Sequence, residues 1–534
     1  MESKRLNSEI ISLENRGIWP VRSLADELEL WSEQYQEKVA LVERGRSLTY
    51  MELKRKVDQL AAGFIKINIA AKQRIIVQLP NSIDFVCTVF ALFRVGAIPV
   101  FALPAHRAKE ISAIAKKSLA TTIIVPGESD DFDYVRMAEA ILTADNELKN
   151  IIVNGDHQTH INLQNLYIEE SYIAKKISNR SVAFFLLSGG TTNTPKLIPR
   201  VHSDYIYNYT LMANSCGFDS TTVYLAALPV AHNFAFGCPG IMGALSKGGT
   251  VYLCKNPDPI EIGESIKVYG ITATAVVPSI ADLLLNLIEI DPSDFSSLKL
   301  LQVGGARLSD NIANKICEAL PNVLQQVYGM AEGLICHTHK HDHINDVISS
   351  QGRPMSPFDE IKVVDDSGLQ VKPGEPGELL TRGPYTILNY VDYSEAMESD
   401  SFTHDGFYKT GDIVRVTSQG NLQILGRKKE TINKSGEKYS PIEIEIIVRK
   451  IPQILEVAVT TVSDDKLNES AILFYTSERS SISRKEVCSF LEMNGIEQYK
   501  YPDGVVKIEH MPKTALGKID KKELVLSFNN GIEK

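Results

Sequence analysis

The chain has 534 residues with 44% hydrophobic and 23% charged side chains, and its formal net charge is −10. That length predicts two to four folded units with large cores, and the acidic balance argues against a general binder of nucleic acid or of anionic membranes. Seven unpaired-looking cysteines (Cys87, Cys216, Cys238, Cys254, Cys317, Cys336, Cys488) and a charged N-terminal stretch with no secretory apolar core predict reduced thiols and a cytoplasmic protein.

From residue 39 to 125, short apolar runs (Arg74 to Gln78, Ile98 to Ala102, Thr121 to Val125) alternate with segments of helical period (Met51 to Ile65, Ile83 to Arg94, Ala108 to Lys117). This is the pattern of β-α-β units around a mainly parallel sheet. The most apolar stretch, Val86 to Pro104, contains Arg94 and Pro99, so it predicts a helix followed by a strand and not a membrane span. Residues 130–180 are more polar and read as a connecting region with a short excursion. Alternation resumes at Val182 and runs to Tyr328, with strands expected at Val223 to Leu228, Thr250 to Leu253, Thr272 to Val277, Lys299 to Val303 and Leu324 to Val327. Two successive α/β layers are therefore expected. Beyond residue 350, short strands (Glu360 to Val364, Glu378 to Thr381, Leu422 to Leu425) split by Gly/Pro/Asp turns predict a small antiparallel barrel or sheet. After the basic segment Gly426-Arg427-Lys428-Lys429-Glu430, helices at 440–451 and 483–494 and strands at 454–461, 470–476 and 504–508 predict a compact α+β unit.

Five places carry chemistry. The apolar run Val182 to Leu187 feeds into Ser188-Gly189-Gly190-Thr191-Thr192-Asn193-Thr194-Pro195-Lys196, where glycines, hydroxyls and a lysine suit a polyphosphate. It is not a P-loop: counting from Gly190, Pro195 stands where the second glycine should be and Leu197 where the magnesium-binding hydroxyl should be. Gly304-Gly305-Ala306 follows a predicted strand and leaves room for a flat ring. Val327-Tyr328-Gly329-Met330-Ala331-Glu332 offers an aromatic face and a carboxylate for magnesium. Thr410-Gly411-Asp412 presents a carboxylate after a tight turn, suited to a ribose diol, and Pro512 to Asp520 carries Lys518 on a glycine-bearing loop. Taken singly, each has a plain alternative as a surface turn, a core tyrosine or a solvated charge. The alternating His337, His339, His341 and His343 could mimic a strand metal site, but neither Asp342 nor Asp346 shares their alternation and a polar loop is the better reading. A packing or pocket-lining thiol is likewise the better reading of Cys238 than a nucleophile.

Together these pieces resemble the adenylate-forming superfamily of acyl-CoA synthetases, peptide-synthetase adenylation domains and firefly-type luciferases, with five matches in the expected order: the loop at 188–196, Tyr328 to Glu332, Thr410-Gly411-Asp412, Gly426-Arg427 and the ending from Pro512 to Lys518. The resemblance covers nearly the whole chain. It implies an α/β fold: a large N-terminal domain of two doubly wound layers plus a small β-barrel-like subdomain (1–425), a hinge (426–431, with Glu430 as its pivot) and a small mobile α+β C-terminal domain (432–534). It also implies ATP and Mg2+. Ser188, Gly189, Gly190, Thr191, Thr192 and Lys196 would handle the triphosphate; Gly304, Gly305, Ala306, Val327, Tyr328 and Gly329 the adenine; Asp412 the ribose. Glu332 would hold the magnesium, Arg427 would fix the mobile domain against the nucleotide, and Lys518, with Glu332 and Thr191, would be catalytic. Asn193 and Glu430 depart from the family's usual glycine and aspartate.

The stretches Lys196-Leu197-Ile198-Pro199-Arg200, Asp204 to Asn208, Leu228 to Phe234, Tyr328 to Leu334 and Gln351-Gly352-Arg353-Pro354 are similar to the stand-alone aryl-acid ligases of siderophore pathways. That similarity implies activation of 2,3-dihydroxybenzoate or salicylate and delivery to the phosphopantetheine arm of an aryl carrier protein, with no nucleic-acid or membrane partner. His232, Asn233, Phe234, Cys238, Gly305 and Ile335 would bind the acid, and Asn233 would read its ortho hydroxyl. The position of Cys238 is typically serine in dihydroxybenzoate enzymes and often cysteine in salicylate enzymes, which favours salicylate. The rival readings are an aromatic acyl-CoA synthetase and a nucleotide-binding scaffold without catalysis; Lys518, Glu332 and Asp412 argue against the scaffold.

Overall fold

The computed structural model describes residues 11–127, 132–144, 147–170, 172, 176–188, 195–255, 258–390, 401–434, 437–462, 470–477, 481–514 and 518–529. The chain falls into two compact units. One comprises Met1–Val347, Pro354–Glu360 and Arg382–Tyr408; the other comprises Ile348–Arg353, Ile361–Thr381 and Lys409–Lys534. Among the described residues no helix is long and apolar enough to cross a membrane.

The first unit is built on two mainly parallel sheets. One runs, edge to edge, Ile161–Asn162, Asn150–Asn154, Thr122–Pro126, Arg74–Val77, Ile98–Phe101, Val182–Leu187, Leu197–Val201. The other contains, in order, Ile335–His337, Leu324–Gly329, Leu300–Gly304, Ala273–Val276, Val223–Ala226, Thr250–Leu253, Val39–Glu43, Arg46–Thr49. Central strands such as Ala273–Val276 are buried along their whole length, which is why they read as continuous apolar runs. The helix Ile83–Val95 is buried at every position but Asp84, and it touches Ile98–Phe101 of one sheet and Val39–Glu43 of the other. Its apolar surface on all sides follows from that central place. Ser82 caps its start and Gly96, at φ +80°, ends it. Its one buried cation, Arg94, is paired with Asp58 and Glu29.

Two features differ from the chain-order reading. The layers are not successive: Val182–Leu187 and Leu197–Val201 complete the first sheet, while Val39–Glu43 and Arg46–Thr49 join the second. Periodicity identifies a strand but is silent on its neighbour, and here Val100 pairs with Phe185 across a long connection. Residues 130–180 are also more than a connection. They hold the helix Tyr134–Ala144 and the strand Asn150–Asn154, which pairs in parallel with Thr122–Pro126. The apolar run there, Ile151 to Val153, is only three residues long and is flanked by asparagines, so its period-2 signal is weak.

In the second unit a four-stranded sheet has the order Glu360–Val364, Gly377–Arg382, Tyr408–Val416, Leu422–Arg427. The first, second and fourth were expected, whereas Thr410-Gly411-Asp412, expected as a tight turn, lies within the strand Tyr408–Val416, where Gly411 at φ +69° mimics a turn signal in the sequence. A three-stranded sheet follows. Glu456–Val462 and Ser470–Thr476 are antiparallel, and Gly504–Lys507 lies parallel to the second of them. Helices cover both of its faces. Val457, Val459 and Leu473 pack with Ile444, Val448, Val487 and Leu491, whereas Ala458, Ile472 and Phe474 pack with Leu524 and Met511. The strand Ser470–Thr476 is accordingly buried at all seven positions.

Candidate active site

The phosphate-loop candidate begins where Val182–Leu187 ends and returns as Leu197–Val201, its antiparallel partner. The two ends are pinned together: Ser188 N–H donates to the Lys196 carbonyl (3.1 Å), and Lys196 N–H donates to Ser188 Oγ (3.0 Å). Gly189, Gly190, Thr191 and Thr192 lie outside the described residues. The Lys196 ammonium stands 4.5 Å above the ring of Tyr390, and the Tyr390 hydroxyl donates to Glu332 Oε1 (2.8 Å). Tyr390 therefore joins two charged residues that sequence reasoning singled out separately, although it was itself missed. Among the described residues, Oε2 of the buried Glu332 accepts no hydrogen bond. One hard oxygen is thus oriented and the other is left for a ligand, a fit to magnesium.

Gly304 closes strand Leu300–Gly304 beside Leu324–Gly329. A Cβ there would lie 2.7 Å from the Val327 carbonyl and 3.1 Å from the ring of Phe234, so the glycine is required by close approach. Gly305 has φ +84°, and with Ala306 it forms an exposed ledge at the strand end, with Tyr328 and Gly329 on the next strand.

Phe234, Cys238, Val327 and Ile335 belong to one apolar cluster with Leu228 and Tyr385. They come from the short helix Asn233–Gly237, the residue after it and two strands of the sheet. His232 caps that helix, its Nδ1 accepting from Phe234 N–H (3.3 Å). Asn233 is buried at the edge of the cluster. Its Oδ1 accepts from the Tyr205 hydroxyl (2.9 Å) and its Nδ2 donates to Cys238 Sγ (3.4 Å). The Asn233 amide is therefore held from both sides with one N–H still to give. Burial pushes the Cys238 thiol up to about 12, against the pull of Arg200 and Asn208. It is thus a neutral packing group and not a nucleophile. Tyr205 is a second residue that the sequence did not single out for a role.

The second unit brings together another set. Arg427 Nε pairs with Asp412 Oδ1 at 2.7 Å across neighbouring strands. Gly426, at φ +147°, has no room for a side chain, because a Cβ would meet Ser440 Oγ at 2.3 Å. Lys518 lies on an exposed stretch, yet desolvation of its ammonium and the charge of Arg427 lower its pKa; Asp412 and Glu430 act in the opposite direction. Glu430 lies in the short 3₁₀ turn Lys428–Glu430 and pairs with Lys521 (3.3 Å), which also reaches Glu445 (2.8 Å).

The alternating histidines do not line one strand. His337 is fully buried, bonded to Ser215 and Gln325, while His341 and His343 lie beyond the strand end. Among the described residues the group with three clustered metal-type donors is Glu139, His157 and His160. There His157 Nδ1 already accepts from the N–H groups of Thr159 and His160, which keeps the proton on the other ring nitrogen.

With this geometry in view, the comparisons with known proteins agree. The AMP-binding enzyme family matches residues 28–391 and its C-terminal domain family residues 443–518. The 2,3-dihydroxybenzoate-AMP ligase of Bacillus subtilis is 41% identical over 95% of this chain and 94% of its own. The salicyl-AMP ligase / salicyl-S-ArCP synthetase of Mycobacterium tuberculosis is 37% identical over 95% of this chain and 91% of its own. The apo structure of MbtA from Mycobacterium smegmatis superposes with a TM-score of 0.75 at 36% identity, covering 96% of each chain. The chain belongs to the AMP-binding enzyme family and is an adenylate-forming ligase.

Proposed function

We propose that the protein activates a 2-hydroxylated benzoic acid, salicylate in preference to 2,3-dihydroxybenzoate, as its acyl-adenylate, and then transfers the acyl group to the phosphopantetheine thiol of an aryl carrier protein in the cytoplasm. In the first half-reaction a carboxylate oxygen of the acid attacks the α-phosphorus of ATP. The bond to the bridging oxygen breaks and pyrophosphate leaves. The protein's task is to position the reactants and to offset phosphoryl charge. Thr191, Thr192 and Lys196 would bind the polyphosphate, Gly305, Ala306 and Tyr328 the adenine, and Asp412 the ribose. Glu332 would hold magnesium, whose charge offsets that of the phosphates, and Lys518 would meet the charge developing in the transition state. In the second half-reaction rotation about Glu430 would withdraw Lys518 and admit the thiol, whose sulfur attacks the acyl carbonyl; the thiol proton is lost, the bond to the adenylate oxygen breaks and AMP leaves.

The observation that supports the choice of acid is the fixed amide of Asn233. Tyr205 occupies its oxygen, so its remaining N–H is a donor for an ortho oxygen, next to a thiol. A serine at 238 would satisfy a second, 3-position hydroxyl, whereas a thiol is a weak partner. Burying that hydroxyl without a partner costs on the order of 1–3 kcal/mol, about tenfold in preference. Wild type is expected to have its highest kcat/KM with salicylate, and Cys238→Ser to move toward dihydroxybenzoate by about tenfold. Wild type preferring dihydroxybenzoate, or a Cys238→Ser enzyme with no shift, overturns the choice; strong preference for unsubstituted benzoate removes the role of Asn233. Running the thioester step with CoA and with a carrier protein separates the two acceptors.

The pivot is open to its own test. Glu430→Pro restricts φ and is expected to leave pyrophosphate exchange intact while slowing thioester formation. Glu430→Gln, which only weakens the pair with Lys521, should slow it much less. Two normal half-reactions in Glu430→Pro would move the hinge elsewhere.

A further inference from the structure

Arg200 has no exposed surface. Its Nε and Nη2 both face Asp204 Oδ1 (3.1 and 3.0 Å), its Nη1 donates to the carbonyl of Ala331 (3.1 Å), and its guanidinium lies 4.9 Å over the ring of Tyr205. The other oxygen of Asp204 accepts from Val201 N–H (3.0 Å). A buried ion pair seldom stabilises a fold more than apolar residues of the same volume would, and burial drives the Asp204 carboxyl above its ordinary pKa despite the pull of Arg200. Cohesion alone is therefore a poor account of this pair.

Its location supplies a better one. Arg200 lies on Leu197–Val201, the strand that Lys196 leads into, and it reaches across to the residue just before Glu332. Glu332 is then held at three points. Arg200 grips the preceding carbonyl, Ile387 N–H donates to the Glu332 carbonyl (2.7 Å), and Tyr390 orients the carboxylate. We infer that Arg200 is a positioning residue that fixes the Ala331–Glu332 turn in register with the strand following Lys196, so that the lysine and the carboxylate converge on one polyphosphate. This inference rests on the reading of Glu332 as the metal-holding residue. The fork of the guanidinium is what the role needs, since it serves Asp204 and the Ala331 carbonyl at once; a lysine offers a single point of charge.

The test uses the full chain, Mn2+ as a spin probe and α,β-methylene-ATP, which cannot be cleaved at the reacting bond. Mn2+ binding to the nucleotide complex is titrated by electron paramagnetic resonance in wild type, Arg200→Lys, Asp204→Asn and Glu332→Gln. Arg200→Lys is expected to weaken Mn2+ binding by roughly tenfold and to leave metal-free nucleotide affinity unchanged, a split that a purely structural role would not produce. Asp204→Asn should shift Mn2+ binding in the same direction, and it decides the matter if Arg200→Lys does not fold. Wild-type Mn2+ affinity in a folded Arg200→Lys, or in Asp204→Asn where that variant decides, overturns the inference. Unchanged Mn2+ affinity in Glu332→Gln instead overturns the reading of Glu332 beneath it.

Discussion

Lys518→Ala is expected to lower acid-dependent ATP–pyrophosphate exchange by about 10³-fold, the upper range for loss of a group that acts on transition-state charge. Thioester formation from pre-made acyl-adenylate should survive far better, because in the proposed cycle that step would proceed with Lys518 withdrawn. Equal losses in both half-reactions would remove the role in the first step. The environment of Lys518 adds a pH signature. Crowding and Arg427 depress its pKa, Asp412 and Glu430 only partly restoring it. The protonated form is the useful one, so exchange should fall as pH rises, with a midpoint below the ordinary lysine value. Residual exchange in Lys518→Ala should lack that limb. A limb at the ordinary lysine value would mean that Lys518 works in surroundings other than those around Arg427 and Asp412.

Glu332→Gln is the second large effect. The substitution keeps size and the hydrogen bond from Tyr390 while removing the charge, so the melting temperature should barely move. Adenylation at ordinary magnesium is expected to drop by roughly 10²-fold, and part of that loss should return as magnesium is raised. The measurement is the magnesium concentration giving half-maximal exchange. A variant with wild-type magnesium dependence would show that Glu332 serves only to anchor Tyr390.

Much of this architecture was legible before any tertiary structure. The strands at Thr250–Leu253, Glu360–Val364 and Ser470–Thr476 fall on their predicted residues, because each is a short apolar or alternating run bounded by turn-forming residues. The chemistry-bearing loops were legible for a related reason. Glycine, hydroxyl and lysine close together in sequence are close together in space, and turn chemistry is local. The residues that orient them were not. Tyr390 lies 58 positions from Glu332, and Tyr205 lies 28 from Asn233; a tyrosine alone reads as core.

By itself, then, the sequence determined the alternation of strands and helices, the order of the five chemical segments and, through that order, the family. These depend on backbone period and on side chains within a few residues of one another. Only the tertiary structure decided that Val182–Leu187 completes the first sheet while Val39–Glu43 joins the second, that Asn233 has one amide N–H left to give, and that a wholly buried Arg200 on the strand after Lys196 bonds the carbonyl of Ala331, the residue before Glu332. Strand order and the partners of a buried polar group are settled by packing between distant segments, where each donor must find its acceptor away from water, and nothing in the local spacing of residues records that choice.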